Sequence, residues 1–448
     1  MMFSSEFQEL EVWAAQISNP WIFFCASSCH AVFRGLDSAD FFREIFLKKR
    51  FVFLVAAVFL AARVFADGTL VVSKKDSKFS LEMAGFTAGT DNGSQWFRHT
   101  LEKDLFSCGY FSRAAAGQAI IVLSGSVDGG ASVSAKCLVQ DRSAQAVRLN
   151  KGFSDTANQA IRLAHQAADE IIKAVTGRDG FCGSQVVLVG NETGHKELYL
   201  SDWDGGNLRQ LTHDGSISLD PKWRPRGNEI LYTSYLRGSA SLFAIDLGTG
   251  QRRQLIRAGG LVTGGAFSPD GSRVALIMSK DGNPELYVMS ASGGAVTRLT
   301  HTPDRDEASP TWSPDGKRIC YVSGPPNYTQ LYVIDAGGGE PVRITSGGRM
   351  NESPDWGPNG QIAYQSNFGG QYQIFVVDPS SHAASQISKD GAAYEDPSWA
   401  PDGRHIVATR VTGYQKGVCL LDTLEDAPIS LTGNRRGDWS QPAFAPHK

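Results

Sequence analysis

Cysteine is scarce in this chain, and where it occurs it forms no metal-ligand pattern. There are seven among 448 residues, with no Cys-x-x-Cys pair, which removes zinc fingers and redox dithiols. Surplus charge is lacking as well. Lys and Arg number 43 against 46 Asp and Glu, a net charge of −3, so no basic excess points to nucleic acid. Nor does the sequence hold a Gly-x-Ser-x-Gly elbow, a phosphate-cradling Gly-rich loop or a His-Glu-x-x-His pair, the marks of common hydrolases, nucleotide binders and metalloproteases. A long hydrophobic run is missing too. The apolar stretch Phe51 to Ala62 has 12 residues, against the roughly 20 needed to span a bilayer. Lys48-Lys49-Arg50 precedes it and Val64-Phe65-Ala66 follows it, so residues 48–66 read as a signal peptide with no direct membrane insertion of the exported chain. Residues 1–47 then read as a mis-assigned leader, with the true start near Leu47.

What the chain has is a repeated phrase. Its clearest copy is Pro310-Thr311-Trp312-Ser313-Pro314-Asp315-Gly316, and further copies centre on Trp223, Phe267, Trp356, Trp399 and Phe444. Successive aromatics lie 44, 45, 44, 43 and 45 residues apart, a period typical of propeller blades. Each copy is followed by a β-rich run, a second run ending near an Asp, a turn, and a short closing run such as Arg298-Leu299-Thr300. Four short strands per unit and six units predict a six-bladed β-propeller. In this phase the propeller starts at Gln185 without an inner strand, and the chain ends with an inner strand, 441–446, that has no blade. The two fragments are expected to complete one blade and close the ring. The recurring Ser-Pro-Asp-Gly aspartates read as turn caps rather than catalytic or calcium ligands.

Residues 67–183 change to mixed α and β, giving an α+β multidomain chain: a small N-terminal α/β domain, then a C-terminal propeller over 184–448. Trp96, Phe97, Leu101 and Leu105 recur at helical spacing ahead of Gly109, and a second helix is expected from about Asp155 to Val175 with Gly177 as its stop. Strands are expected at 119–123, 133–139 and 146–149. His165 and Asp169, four apart on the second helix, read either as a base with its orienting carboxylate or as a surface or interface pair. Cys108, Cys137 and Cys182 share this domain, and an oxidising compartment would allow one bridge among them.

Joined together, these pieces resemble the TolB family of the Tol-Pal system. The resemblance is carried by Arg162 to Ile171 with Thr176-Gly177 and Gly180-Phe181, by Asp104 to Phe111, by Asp202-Trp203-Asp204-Gly205-Gly206-Asn207, and by Pro442-Ala443-Phe444-Ala445-Pro446. The phrase has drifted to Pro221-Lys222-Trp223-Arg224-Pro225-Arg226-Gly227 in one copy and to Gly265-Ala266-Phe267 in the next. The resemblance implies a periplasmic, non-catalytic scaffold without a cofactor. Its propeller would bind the peptidoglycan-associated lipoprotein Pal, its N-terminal arm would contact TolA, and other envelope proteins could join them, linking inner-membrane Tol proteins to outer-membrane integrity and constriction at division.

Two surfaces are expected to carry this binding. The loops 303–309, 347–353, 389–396 and 434–441 gather at one mouth of the propeller and hold Arg305, Glu307, Arg349, Glu352, Tyr394, Glu395, Arg436 and Trp439. Aromatic and Arg anchors there would supply the energy and the acids the orientation. The arm residues Leu70, Val71 and Val72 would add as a strand to a partner's sheet edge. The alternative is a propeller enzyme or a small-ligand or metal binder using the channel, with Glu307, Glu352 and Glu395 as its inward acids.

Overall fold

The computed structural model describes residues 78–256, 260–424 and 426–446. The leader, the signal peptide and the arm residues Leu70, Val71 and Val72 lie outside them. The chain first builds β1 (Phe79–Ala88), α1 (Asn92–Ser107), β2 (Phe111–Arg113), β3 (Ile121–Asp128), β4 (Ser132–Asp141), β5 (Ala146–Thr156) and α2 (Ala160–Thr176). The five strands form one sheet in the order β2-β1-β3-β4-β5, with β1 parallel to both its neighbours. Sequence reading assigns no strand to 79–88. The reason is a bulge between Glu82 and Gly85 that breaks the alternation by which strands are recognised.

Both helices are set by their ends and one apolar stripe. Asp91 caps α1 by accepting from the Ser94 amide at 2.9 Å. Phe97, Leu101 and Leu105 are buried, but Trp96, expected on the same stripe, is 51% exposed. α2 starts later than its periodicity predicts, because β5 continues to Thr156 and a 3-10 turn, Ala157–Gln159, intervenes. It buries Leu163, Ala164, Ala167, Ala168, Ile171 and Ile172 and stops at Gly177, which is left-handed at φ 73°. No bridge joins Cys108, Cys137 and Cys182; all three are free, buried thiols.

From Gln185 the chain makes six four-stranded antiparallel sheets. Blade 1 consists of β6 (Gln185–Gly190), β7 (Glu197–Asp202) and β8 (Arg209–Gln210), completed by the closing strand Trp439–Phe444. That strand pairs antiparallel with β6, Trp439 opposite Gly190 and Phe444 opposite Val186. The ring is therefore shut by backbone pairing between the two ends of the propeller. The other inner strands are Ser218–Trp223, Val262–Phe267, Asp306–Trp312, Asn351–Trp356 and Ala393–Trp399, which begin blades 2 to 6.

The phrase aromatics pack between blades. Five interblade interfaces each have their own apolar cluster. The sixth, between blades 6 and 1, merges through Phe181, Trp203, Trp439 and Phe444 into the core of the α/β domain. Trp312 donates its Nε1 hydrogen to the Ala266 carbonyl of the preceding inner strand at 3.0 Å, and Arg273 lies over its ring at 4.6 Å. The aspartates of the phrase are turn caps: Asp315 accepts from Ser313 Oγ at 2.6 Å and from the Lys317 amide at 3.1 Å.

All six inner strands break register once, at a residue with positive φ: Asp220, Gly264, Ser309, Ser353, Asp396 and Gln441, with φ between 48° and 56°. Five of the six are followed by proline. Proline cannot donate to a ladder, so a bulge is the place for it in a central strand. The six bulges converge on the axis and narrow the channel to a cavity of 60 Å³.

Candidate protein-binding face

Antiparallel blades send the turns after their first and third strands to one face and those after their second and fourth strands to the other. The α/β domain covers the first face at blades 1 and 6. Asp104, buried on α1, accepts from Trp203 Nε1 at 3.2 Å and faces His165 Nδ1 at 2.6 Å. Burial opposes a charged imidazole at His165, but Asp104 and Asp202 outweigh it and raise its pKa to about 10. Asp169 takes the amides of Cys182 and Gly183 at 2.7 and 2.8 Å and so pins the linker into the propeller. His165 and Asp169 thus form neither of the pairings expected from their spacing. His165 meets α1 and, at 3.8 Å, Asp202 of the propeller, whereas Asp169 holds the segment that leaves α2.

A second buried cluster lies beside the first. Arg404 donates to both carboxylate oxygens of Asp422, at 2.9 and 2.5 Å, and to the Gly109 carbonyl at 2.9 Å. His405 Nδ1 lies 2.6 Å from Asp402, which also accepts from Tyr110 Oη at 3.0 Å.

The opposite face holds the mouth loops, and the residues expected there divide into two groups. Arg305, Arg349 and Arg436 are exposed. Arg305 lies 5.7 Å over the Tyr332 ring and donates to its hydroxyl at 3.1 Å. Glu352 and Glu395 are half-buried and engaged within their own blades, Glu352 by Tyr372 Oη at 2.8 Å and Glu395 by Lys416 Nζ at 2.6 Å. Tyr394 and Trp439, expected as exposed anchors, are 0% and 1% exposed. Tyr394 enters the cluster between blades 5 and 6, and Trp439 the one between blades 6 and 1. Tyr394 accordingly donates to Asp390 at 2.9 Å, and Trp439 packs edge-on against Tyr199 at 4.9 Å. These two side chains hold the loops in place and offer no surface.

Glu307 is also buried, accepting from Thr302 Oγ1 at 2.8 Å and Ser323 Oγ at 3.0 Å, with Oε2 unpartnered among the described residues. Burial lifts its pKa from 4.5 to about 7. The folded state therefore holds this proton more tightly than the unfolded chain, and stability falls as pH rises from about 4.5 through about 7. Glu307→Gln is expected to flatten that slope and to gain on the order of 1–2 kcal/mol at about pH 8 in urea unfolding. An unchanged slope would mean that Glu307 titrates alike in the folded and unfolded chain.

Sequence reading missed the hairpin tips after the second strands, which share this face. Leu236, Tyr328, Phe368 and Tyr414 stand there 47%, 46%, 63% and 103% exposed. The available signal was a large apolar residue in or beside a turn, as in Phe368-Gly369-Gly370 and Gly413-Tyr414, where polar residues are the rule.

The TolB beta propeller domain profile matches residues 172–448, more than half of the chain. The chain belongs to the TolB family. The Tol-Pal system protein TolB of Anaeromyxobacter dehalogenans strain 2CP-C is 41% identical over 150 residues, 34% of each chain. A protein TolB homolog of Chlorobium chlorochromatii is 31% identical over 166 residues, 37% of each chain. These matches thus span about a third of the relatives' own length. The crystal structure of TolB from Acinetobacter baumannii superposes with a TM-score of 0.74 at 24% identity, covering 83% of this chain and 98% of that one. It shares the TolB architecture of an α/β domain followed by a six-bladed propeller.

Proposed function

We propose that this TolB-family chain is a non-catalytic protein-binding scaffold of the Tol-Pal system in the periplasm. In this reading residues 48–66 direct export, the propeller engages Pal and the arm around Leu70, Val71 and Val72 engages TolA. The chain would so link the inner-membrane Tol proteins to the outer membrane and support its integrity and its constriction at division. Family membership and the names of the matched relatives support the system. The observation that carries a binding role is the open propeller face, where exposed Arg305, Arg349 and Arg436 and the apolar tips Tyr328, Phe368 and Tyr414 are held by rigid blades. The enzyme reading has less support. Glu307, Glu352 and Glu395 are each engaged within a blade, and among the described residues no three His, Cys, Asp or Glu side chains group as metal ligands.

Calorimetric titration of purified Pal into the mature chain tests the face. Arg305→Ala and Arg349→Ala should keep the melting temperature, and at least one should lose more than about 1 kcal/mol of binding. Wild-type affinity in both would put the Pal site elsewhere. Deleting 67–73 should abolish TolA binding and leave Pal binding intact, whereas retained TolA binding would assign that contact to another part of the chain.

A further inference from the structure

The open face is not uniform. At blade 6 a cleft of 720 Å³ lies between the hairpin 412–418 and the segment 428–437. Arg410, Lys416, Arg435 and Arg436 line it, with Asp390 as the acid among its lining residues. Two of the four cations are matched by carboxylates: Arg410 by Asp390 at 2.9 Å and Lys416 by Glu395 at 2.6 Å. The other two are not. Arg435 donates one guanidinium hydrogen to the Gly205 carbonyl at 3.0 Å, and the Arg436 side chain has no hydrogen bond or ion pair among the described residues.

The loop bearing these two arginines is held from several sides. Asp438 accepts from the Lys416 amide at 3.0 Å and from Asn191 Nδ2 at 3.3 Å, which ties the loop to the hairpins of blades 6 and 1. The Arg435 amide donates to the Thr432 carbonyl at 3.1 Å, and Trp439 Nε1 donates to the Arg436 carbonyl at 3.1 Å. The backbone under both guanidinium groups is therefore fixed before any ligand arrives, so little ordering is left for binding to impose.

We propose that this cleft receives an acidic peptide segment of a protein partner. The proposal rests on the reading of this face as partner-binding and names the chemistry of one part of it. Unmatched guanidinium groups recognise carboxylates by paired hydrogen bonds. The volume lies within the roughly 300–1,000 Å³ of sites for sizeable organic ligands, well beyond an inorganic anion. Thr412, Gln415 and Asn434 on the walls can donate and accept, which suits a peptide backbone between its acidic side chains.

The test uses a fluorescein-labelled hexaglutamate peptide and the full mature chain, read by fluorescence polarisation. Saturable binding that weakens with added salt is expected. Arg435→Ala/Arg436→Ala should weaken it at least about tenfold, single Arg436→Ala should do so in part, and Arg98→Ala, exposed on α1 of the other domain, should leave it unchanged. Equal binding of hexaglutamine, wild-type binding by the double variant, or no saturation by about 1 mM overturns the proposal. Displacement by an equal concentration of inorganic phosphate overturns it in favour of a simple anion site. If Arg305→Ala and Arg349→Ala both leave Pal binding at wild-type level while hexaglutamate still depends on Arg435 and Arg436, the cleft stands and the wider face reading fails.

Discussion

Deleting residues 439–448 is expected to abolish the cooperative unfolding transition. The closing strand supplies the inner strand of blade 1, and its loss would leave β6 unpaired along the register Trp439–Gly190 to Phe444–Val186. It would also take Trp439, Ala443 and Phe444, all buried, from the cores on either side of blade 1. Losing the two large side chains, at about 3–5 kcal/mol each, together with the backbone pairing of the strand rivals the roughly 5–15 kcal/mol that stabilises a typical domain. Circular dichroism of the truncated chain should show a broad, early loss of signal in place of one sharp melt. A melting curve matching the full chain would mean that the ring holds without its closing strand.

Asp104→Ala should have the next largest effect. It leaves the buried His165 ring and the Trp203 indole without the carboxylate that both contact, and removing one partner of a buried charged pair costs about 3–5 kcal/mol. Asp104→Asn keeps an acceptor for Trp203 and should lose less. The sign of the pH effect follows from the histidine. Its folded pKa of about 10 lies above the ordinary 6.5, so its contribution is complete below about pH 6.5 and disappears as pH rises through about 10. The wild-type chain should loosen at the domain junction in that range, seen as faster proteolysis at 177–184, while Asp104→Ala is loose at every pH. Identical melting temperatures for wild type and Asp104→Ala would refute this account of the junction.

The propeller was legible because every blade solves the same packing problem at the same place. Trp223, Phe267, Trp312, Trp356, Trp399 and Phe444 each sit at the end of an inner strand and face a neighbouring blade, so their period shows through the drift of the residues between them. What misled was direction. The loop sequences around Tyr394 and Trp439 are polar, which suggests exposure, but at these two strand starts the side chain turns into an interblade core. The His165–Asp169 spacing placed both on one helix, yet their partners Asp104 and Cys182 lie 61 and 13 residues away. No local pattern encodes such contacts. The cleft between 412–418 and 428–437 was hidden for the same reason, because two arginines in a loop look the same with or without carboxylates to match them.

The pairing of the closing strand with β6 also sets an order in time. β6 to β8 are the first propeller strands to leave the ribosome, and the strand that completes their sheet is the last, some 250 residues later in the chain. Blades 2 to 6 can assemble as they are made, since each is built from consecutive strands. Blade 1 has to wait, with the row of amides and carbonyls on the inner side of β6 unpaired, until residues 439–444 have been made. The ring therefore cannot lock before Trp439–Phe444 are available, and until then the inner side of β6 is an edge to which another strand could add.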